Sequence, residues 1–210
     1  MTEMRMAELA RRSDLSVATI KYYLREGLLQ PGRRTSVNQA VYDAAHLERL
    51  RLVRALAKVA RLPLHKIREV IQAVSVESSV LGAMAVTQDA LVGDIETGAL
   101  DKTADEALTR AIEERGWRCE PGSPAHRAAI RAVAELQAEG LGALVDRLDD
   151  YAQAADSIGR IDLEVVSVVD SLEAMIRGVV LGSVLRRPLL DTFVLLAQQH
   201  YANELHGNAP

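Results

Sequence analysis

The chain has a single cysteine, Cys119, in 210 residues. An internal disulfide is therefore impossible, and a thiolate metal site, which needs two or three cysteines, is excluded. The composition suits a reducing cytoplasm. His126, His200 and His206 are scattered without ligand spacing, so no metal is expected. Aromatic residues make up only 3%, which leaves the core to aliphatic side chains. Long apolar runs are missing. The N-terminus reaches Glu3 and Arg5 at once, unlike a secretory leader. The most apolar stretch, 178–197, is interrupted by Arg186, Arg187, Pro188 and Asp191, short of the roughly 20 apolar residues of a membrane span. No nucleophile–base arrangement, glycine-rich phosphate loop or paired-carboxylate site is visible, so neither an enzyme nor a cofactor is expected.

What is present is unevenly distributed. The formal charge is −4, yet residues 1–75 hold 14 Lys and Arg against 7 Asp and Glu. The rest of the chain holds 11 against 22. A basic head on an acidic body predicts one region that faces nucleic acid and one that faces something else, with the body repelled by phosphates.

The head reads as a helix-turn-helix. Met6, Leu9 and Ala10 mark one face of a short helix, which Ser13-Asp14 closes. Ser16 is an N-cap by type and position. Val17, Ile20 and Leu24 line the inner side of a second helix, and Gly27 is its left-handed cap. The outer surface carries Thr19, Lys21, Tyr22, Tyr23 and Arg25, groups that suit phosphate oxygens. The short residues Ser16 and Ala18 let the helix start approach base edges. Pro31-Gly32 breaks the chain, and a small β-hairpin wing follows, with Arg33 and Arg34 at its base, a turn at Asn38 and an extended Ala40-Val41-Tyr42. Asp43 caps a helix over 44–58, and Pro63 opens another over 64–74.

This block resembles the DNA-binding domain of the MerR family of bacterial regulators. The matching residues are Met6-Ala7-Glu8-Leu9-Ala10, Ser16-Val17-Ala18-Thr19-Ile20-Lys21-Tyr22-Tyr23, Glu26-Gly27-Leu28-Leu29, Arg33-Arg34-Thr35, Val41-Tyr42, Leu47-Glu48-Arg49-Leu50, and Leu64-His65-Lys66-Ile67-Arg68-Glu69-Val70. Order, spacing and residue type agree over about a third of the chain. The resemblance implies a homodimer of winged heads, joined by an antiparallel pair of long helices after the fourth helix. It also implies binding to pseudo-palindromic promoter DNA, which is bent and untwisted so that RNA polymerase can align with both promoter elements. It assigns phosphate contacts to Thr19, Lys21, Tyr22 and Tyr23, and to Arg33, Arg34 and Tyr42 around the wing. One departure stands out. The family's Gly-Tyr-Arg before the apolar-Tyr pair is Asn38-Gln39-Ala40 here, so a wing arginine is missing.

Beyond residue 75 the pattern is helical throughout. The expected organisation is mainly all-α: a winged helix-turn-helix at 1–75, a linker or dimerisation helix at 76–98, and a helical effector or dimerisation bundle at 99–210. Expected helices include one limited by Gly98 and Gly116, one opened by Pro124, one through Leu141–Ala155, one through Val165–Val179 and a last one starting at Pro188. Gly178 and Gly182 have the spacing of close helix approach. Val166, Asp170, Glu173 and Arg177 read as a solvated stripe with a Glu173–Arg177 pair. Cys119 beside Arg115 and Arg118 is open to a redox reading. Trp117, Tyr151, Phe193 and Tyr201 are open to two readings, a pocket for a small organic effector or plain core. The leading expectation is a dimeric transcription regulator controlled by a ligand or protein at its body. A small-molecule-sequestering module and an effector-free DNA-bending protein are the alternatives.

Overall fold

A computed structural model of the chain describes residues 3–36, 39–76, 80–93, 98–169 and 171–206. Its order is β1 (Met4–Arg5), α1 (Met6–Ser13), α2 (Val17–Arg25), β2 (Arg33–Ser36), β3 (Gln39–Tyr42), α3 (Ala44–Arg54), a π-helical turn (Ala55–Val59), α4 (Leu64–Val76), α5 (Val80–Val92), α6 (Lys102–Glu114), α7 (Pro124–Ala138), α8 (Gly142–Val145), α9 (Leu148–Val166) and α10 (Leu172–His206). The expected fold class, a winged helix-turn-helix followed by helices, is the one observed. The expected turn at Asn38 lies outside the described residues, as do 77–79 and 94–97 of the expected linker and Asp170 of the expected stripe.

Local chemistry sets the head elements. Asp14 closes α1 in the left-handed region at φ 56°, and the Ser13 hydroxyl donates to the Leu9 carbonyl at 2.7 Å. Ser16 caps α2 by accepting from the Thr19 N–H at 3.0 Å. Gly27 at φ 72° then turns the chain out of the helix. Asp43 and His46 form a reciprocal capping box at the start of α3. His46 holds the Asp43 carboxyl below its ordinary range by hydrogen bonding. Gly32 is required by contact: a Cβ there would lie 2.7 Å from the Val41 carbonyl oxygen and 2.8 Å from the Tyr42 ring. The sheet has the order β1-β3-β2 and is antiparallel, with Met4 opposite Tyr42 and Arg33 opposite Val41. The wing hairpin was expected; β1 was not, because a two-residue strand carries no periodicity.

The head core is dense. Leu9, Ile20, Leu50, Leu52, Val53, Leu56 and Val70 are all fully buried. The same hydrophobic cluster continues into Ala83 and Ala90 of α5 and Ile176 and Val180 of α10. A second, smaller cluster joins α6, α7 and α8 around Ala104, Ile130, Val133 and Val145.

The body departs from several expectations. Leu141–Ala155 is divided into α8 and the start of α9, and α9 ends at Val166, inside the helix expected over Val165–Val179. Pro188 does not open the last helix but lies inside α10, a single helix of 35 residues and about 52 Å. Proline removes one backbone hydrogen bond from a helix, the one that would reach the Val184 carbonyl. Good helix formers on both sides carry α10 past it. Glu173 and Arg177 do not form the expected stripe. They reach back to α3, Glu173 to Arg49 at 3.1 Å and Arg177 to Glu48 at 3.7 Å. Gly178 sits where α9 and α10 meet closely, since a Cβ there would lie 2.8 Å from Val166 Cγ1. That is an approach within one chain. No helix among the described residues is long and apolar enough to cross a membrane.

Candidate nucleic-acid interface

The exposed side of α2 and the wing enclose a groove of about 410 Å³, with Val17 and Lys21 on one wall and Arg34, Ser36 and Gln39 on the other. Tyr42 and Met6 form its floor. Lys21 and Arg34 are exposed and have no ion-pair partner among the described residues. Two unpaired cations across a groove beside a helix present the field that an anionic backbone needs.

The other expected contact residues fall into three groups. Ala18 is exposed on the first turn of α2, where its small side chain leaves the helix start accessible. Ser16 and Thr19 lie beside it, and their hydroxyls are 2.8 Å apart, engaged in the cap. Arg33 is salt-bridged to Glu3 at 2.5 Å, which offsets part of its charge. Arg25 stacks over the Tyr22 ring at 5.4 Å, so these two side chains form one unit at the end of α2. Tyr23 and Tyr42, by contrast, are placed in the core at 6% and 5% exposure, and burial pushes both phenols up. Their rings hold α2 and the wing in place, and little of either side chain meets solvent.

Several basic residues of the head are neutralised by neighbours. Arg54 pairs with Asp14 at 2.7 Å, and Arg68 with Glu26 at 2.5 Å. Arg51 pairs with Glu48 at 2.6 Å. The positive charge of the head therefore counts less by number than by place, and Lys21 and Arg34 are the places that face the groove.

Residues 4–74 match the family model described as MerR HTH family regulatory protein. The chain is also similar over its length to a solved structure, SCO5550 of Streptomyces coelicolor A3(2), assigned as a transcriptional regulator. The identity is 32% and the TM-score 0.67, over 99% of this chain and 100% of that one. Residues 4–74 thus form a MerR-family helix-turn-helix domain. A further relative is the HTH-type transcriptional regulator ZntR homolog of Haemophilus influenzae, 40% identical over 50 residues. That match spans 24% of this chain and 37% of the relative. The helix-turn-helix is the part that this chain shares with the family and with that relative.

A second feature lies in the body, at residues other than those the sequence suggested for a pocket. α5, α9 and α10 enclose a cavity of about 530 Å³. Its wall is mostly apolar, with Met84, Ile158, Leu163, Val179 and Leu190, and its polar groups are Gln88, Asp162, Ser183 and Arg186. Gly159 and Gly182 line it with open space where a side chain would stand. Arg186 pairs with Asp162 at 2.9 Å, while its Nε is buried without a hydrogen-bond partner. The four aromatic residues considered for a pocket do not line it. Tyr151, Phe193 and Tyr201 are more than half exposed, and the Trp117 indole donates to Asp156 at 2.8 Å. Cys119 is exposed.

Proposed function

We propose that the protein is a dimeric promoter-binding regulator. α2 and the wing grip DNA, and occupancy of the α5–α9–α10 cavity controls the grip. The observation that carries the DNA reading is the pairing of unpartnered Lys21 and Arg34 across one groove, beside the accessible start of α2. Ser16, Ala18 and Thr19 lie next to the base edges, while Lys21, Tyr22, Arg25, Arg33 and Arg34 meet phosphates. Tyr23 and Tyr42 act by positioning those groups. Two heads joined by a two-fold axis bind two half-sites of a pseudo-palindrome about 34 Å apart, or a multiple of that. Distortion of the intervening DNA presents the promoter to RNA polymerase.

The cavity supports ligand control over an effector-free bending protein. Its volume falls within the roughly 300–1,000 Å³ of small-molecule sites. Arg186 is already neutralised by Asp162, so a net charge on a ligand would find no counter-charge there. The site suits a mainly apolar, uncharged organic molecule whose acceptor oxygen takes the buried Arg186 N–H. The same cavity favours, as a second reading, a module that sequesters such a molecule and controls DNA only secondarily.

A gel-shift titration against the DNA upstream of the protein's own gene, at two salt concentrations, tests the regulator reading. Site-selective and salt-sensitive binding is expected. Equal affinity for unrelated DNA would contradict it and favour sequestration. Gly182→Leu, which fills the cavity from an open position, should leave DNA binding intact and abolish its response to effector.

A further inference from the structure

The accessible surface of the single chain is 13909 Å². A compact monomer of 22.9 kDa exposes roughly 9,600 Å² by the size scaling of folded proteins. Even if half of the difference reflects an elongated shape, about 2,000 Å² per chain is left uncovered, the amount an obligate dimer buries.

That surface is localised. α9 spans 19 residues with none buried. Every residue of α10 from 191 onward is exposed. At helical spacing, Leu185, Leu189, Phe193 and Leu196 form one apolar stripe. All four are at least 54% exposed. The opposite side holds Arg187, Asp191 and Gln198. A broad apolar arc with almost no charge is the composition of an interface core, and a two-fold axis lets the same arc face itself. α5, the element after the fourth helix, leaves less to offer: Ala83, Thr87 and Ala90 are already buried within its own chain.

We infer that two copies of this protein associate through the outer half of α10 and the flanking face of α9, rather than through α5. The inner half of α10 is fixed to the head by Ile176, Val180 and the Arg49–Glu173 pair, so one continuous helix carries both the seam and the head. The seam runs along the exposed rim of the cavity, because Arg186 and Leu190 line the cavity next to Leu185 and Leu189. A ligand there reaches the element that sets the relative placement of the two heads.

The inference rests on the dimeric reading above, and the test separates the two. Sedimentation equilibrium of the full chain should give twice the 22.9 kDa chain mass for the unaltered protein. Leu189→Glu and Phe193→Glu, both at positions exposed in the single chain, should give 22.9 kDa with a cooperative thermal transition retained. Gln198→Glu, on the polar side, should stay at the dimer mass. Dimer mass for both Leu189→Glu and Phe193→Glu would overturn the placement and leave the dimer standing. A monomer mass for the unaltered protein up to about 100 μM would overturn both.

Discussion

The head and the outer body are made of similar residues put to opposite use. In the head, Leu9, Leu50, Leu52 and Leu56 are fully buried. On α10, Leu185, Leu189, Leu195 and Leu196 are each more than half exposed. Leucine content says nothing of this; packing partners do. The head has its partners within the chain, brought together by short connections and caps. The outer half of α10 is exposed throughout from 191 onward, so its apolar arc finds no cover among the described residues. A closed core and an exposed apolar face are thus joined by a single helix.

Core truncation separates the two regions most strongly. Leu52→Ala should cost about 2–5 kcal/mol, through lost burial and the cavity left behind. In a monomeric background such as Leu189→Glu, Leu196→Ala should change stability by less than about 0.5 kcal/mol. Chemical denaturation of the paired variants reads this directly, and equal costs would break the comparison. Next in size is Gly32→Ala. Its Cβ would strike the Val41 carbonyl and the Tyr42 ring, and neither is a flexible end. An overpacking cost of about 1–3 kcal/mol is expected, with weakened DNA binding as the wing shifts. Asp43→Ala removes the α3 cap and should cost about 1 kcal/mol by the same assay.

The smallest effects concern pH, and their signs differ between the regions. His46 holds the Asp43 carboxyl below its ordinary value. Its contribution to stability is therefore complete above the unfolded value of about 3.9 and is lost as pH falls toward the folded one. In α5, burial and the nearby Glu120 raise the Asp89 carboxyl, against the opposing effect of Lys66. Folding there favours the protonated form, so stability falls as pH rises through the unfolded and then the folded value. Asp43→Asn should flatten the acid limb of the stability profile. Asp89→Asn should stabilise slightly at neutral pH. Denaturation midpoints at pH 3, 5 and 7 distinguish them, and equal behaviour would remove the contrast.

Much of the head was legible because its determinants are local. Ser16, Gly27, Asp43 and Pro63 mark element ends through their own chemistry, and Ile20 and Leu24 show the inner face by spacing alone. The inward turn of Tyr23 and Tyr42 was not legible, since a tyrosine on a helix or strand reads equally well as wall or surface. In the body the signals that misled are also physical. Pro188 usually starts a helix, yet long flanking segments carry α10 through it. Glu173 and Arg177 have the spacing of a helix pair, yet find partners far off in sequence on α3. The cavity is built from missing side chains at Gly159 and Gly182, and an absence has no pattern until two helices face each other. The aromatic residues are the more visible signal in the sequence, yet the structure places Tyr151, Phe193 and Tyr201 on the surface and Trp117 against Asp156.

Fluorescence anisotropy of a labelled operator duplex, titrated at several salt concentrations with the unaltered protein, Lys21→Ala, Arg34→Ala and Arg187→Ala, tests the central claim most directly. Each of the first two substitutions should weaken binding, and each should lower the slope of log affinity against log salt by about 1, as the loss of one phosphate contact requires. Arg187→Ala, a cation of the body, should change neither. If Lys21→Ala and Arg34→Ala both retained the full affinity and salt slope, the groove between α2 and the wing would not be the surface that meets DNA.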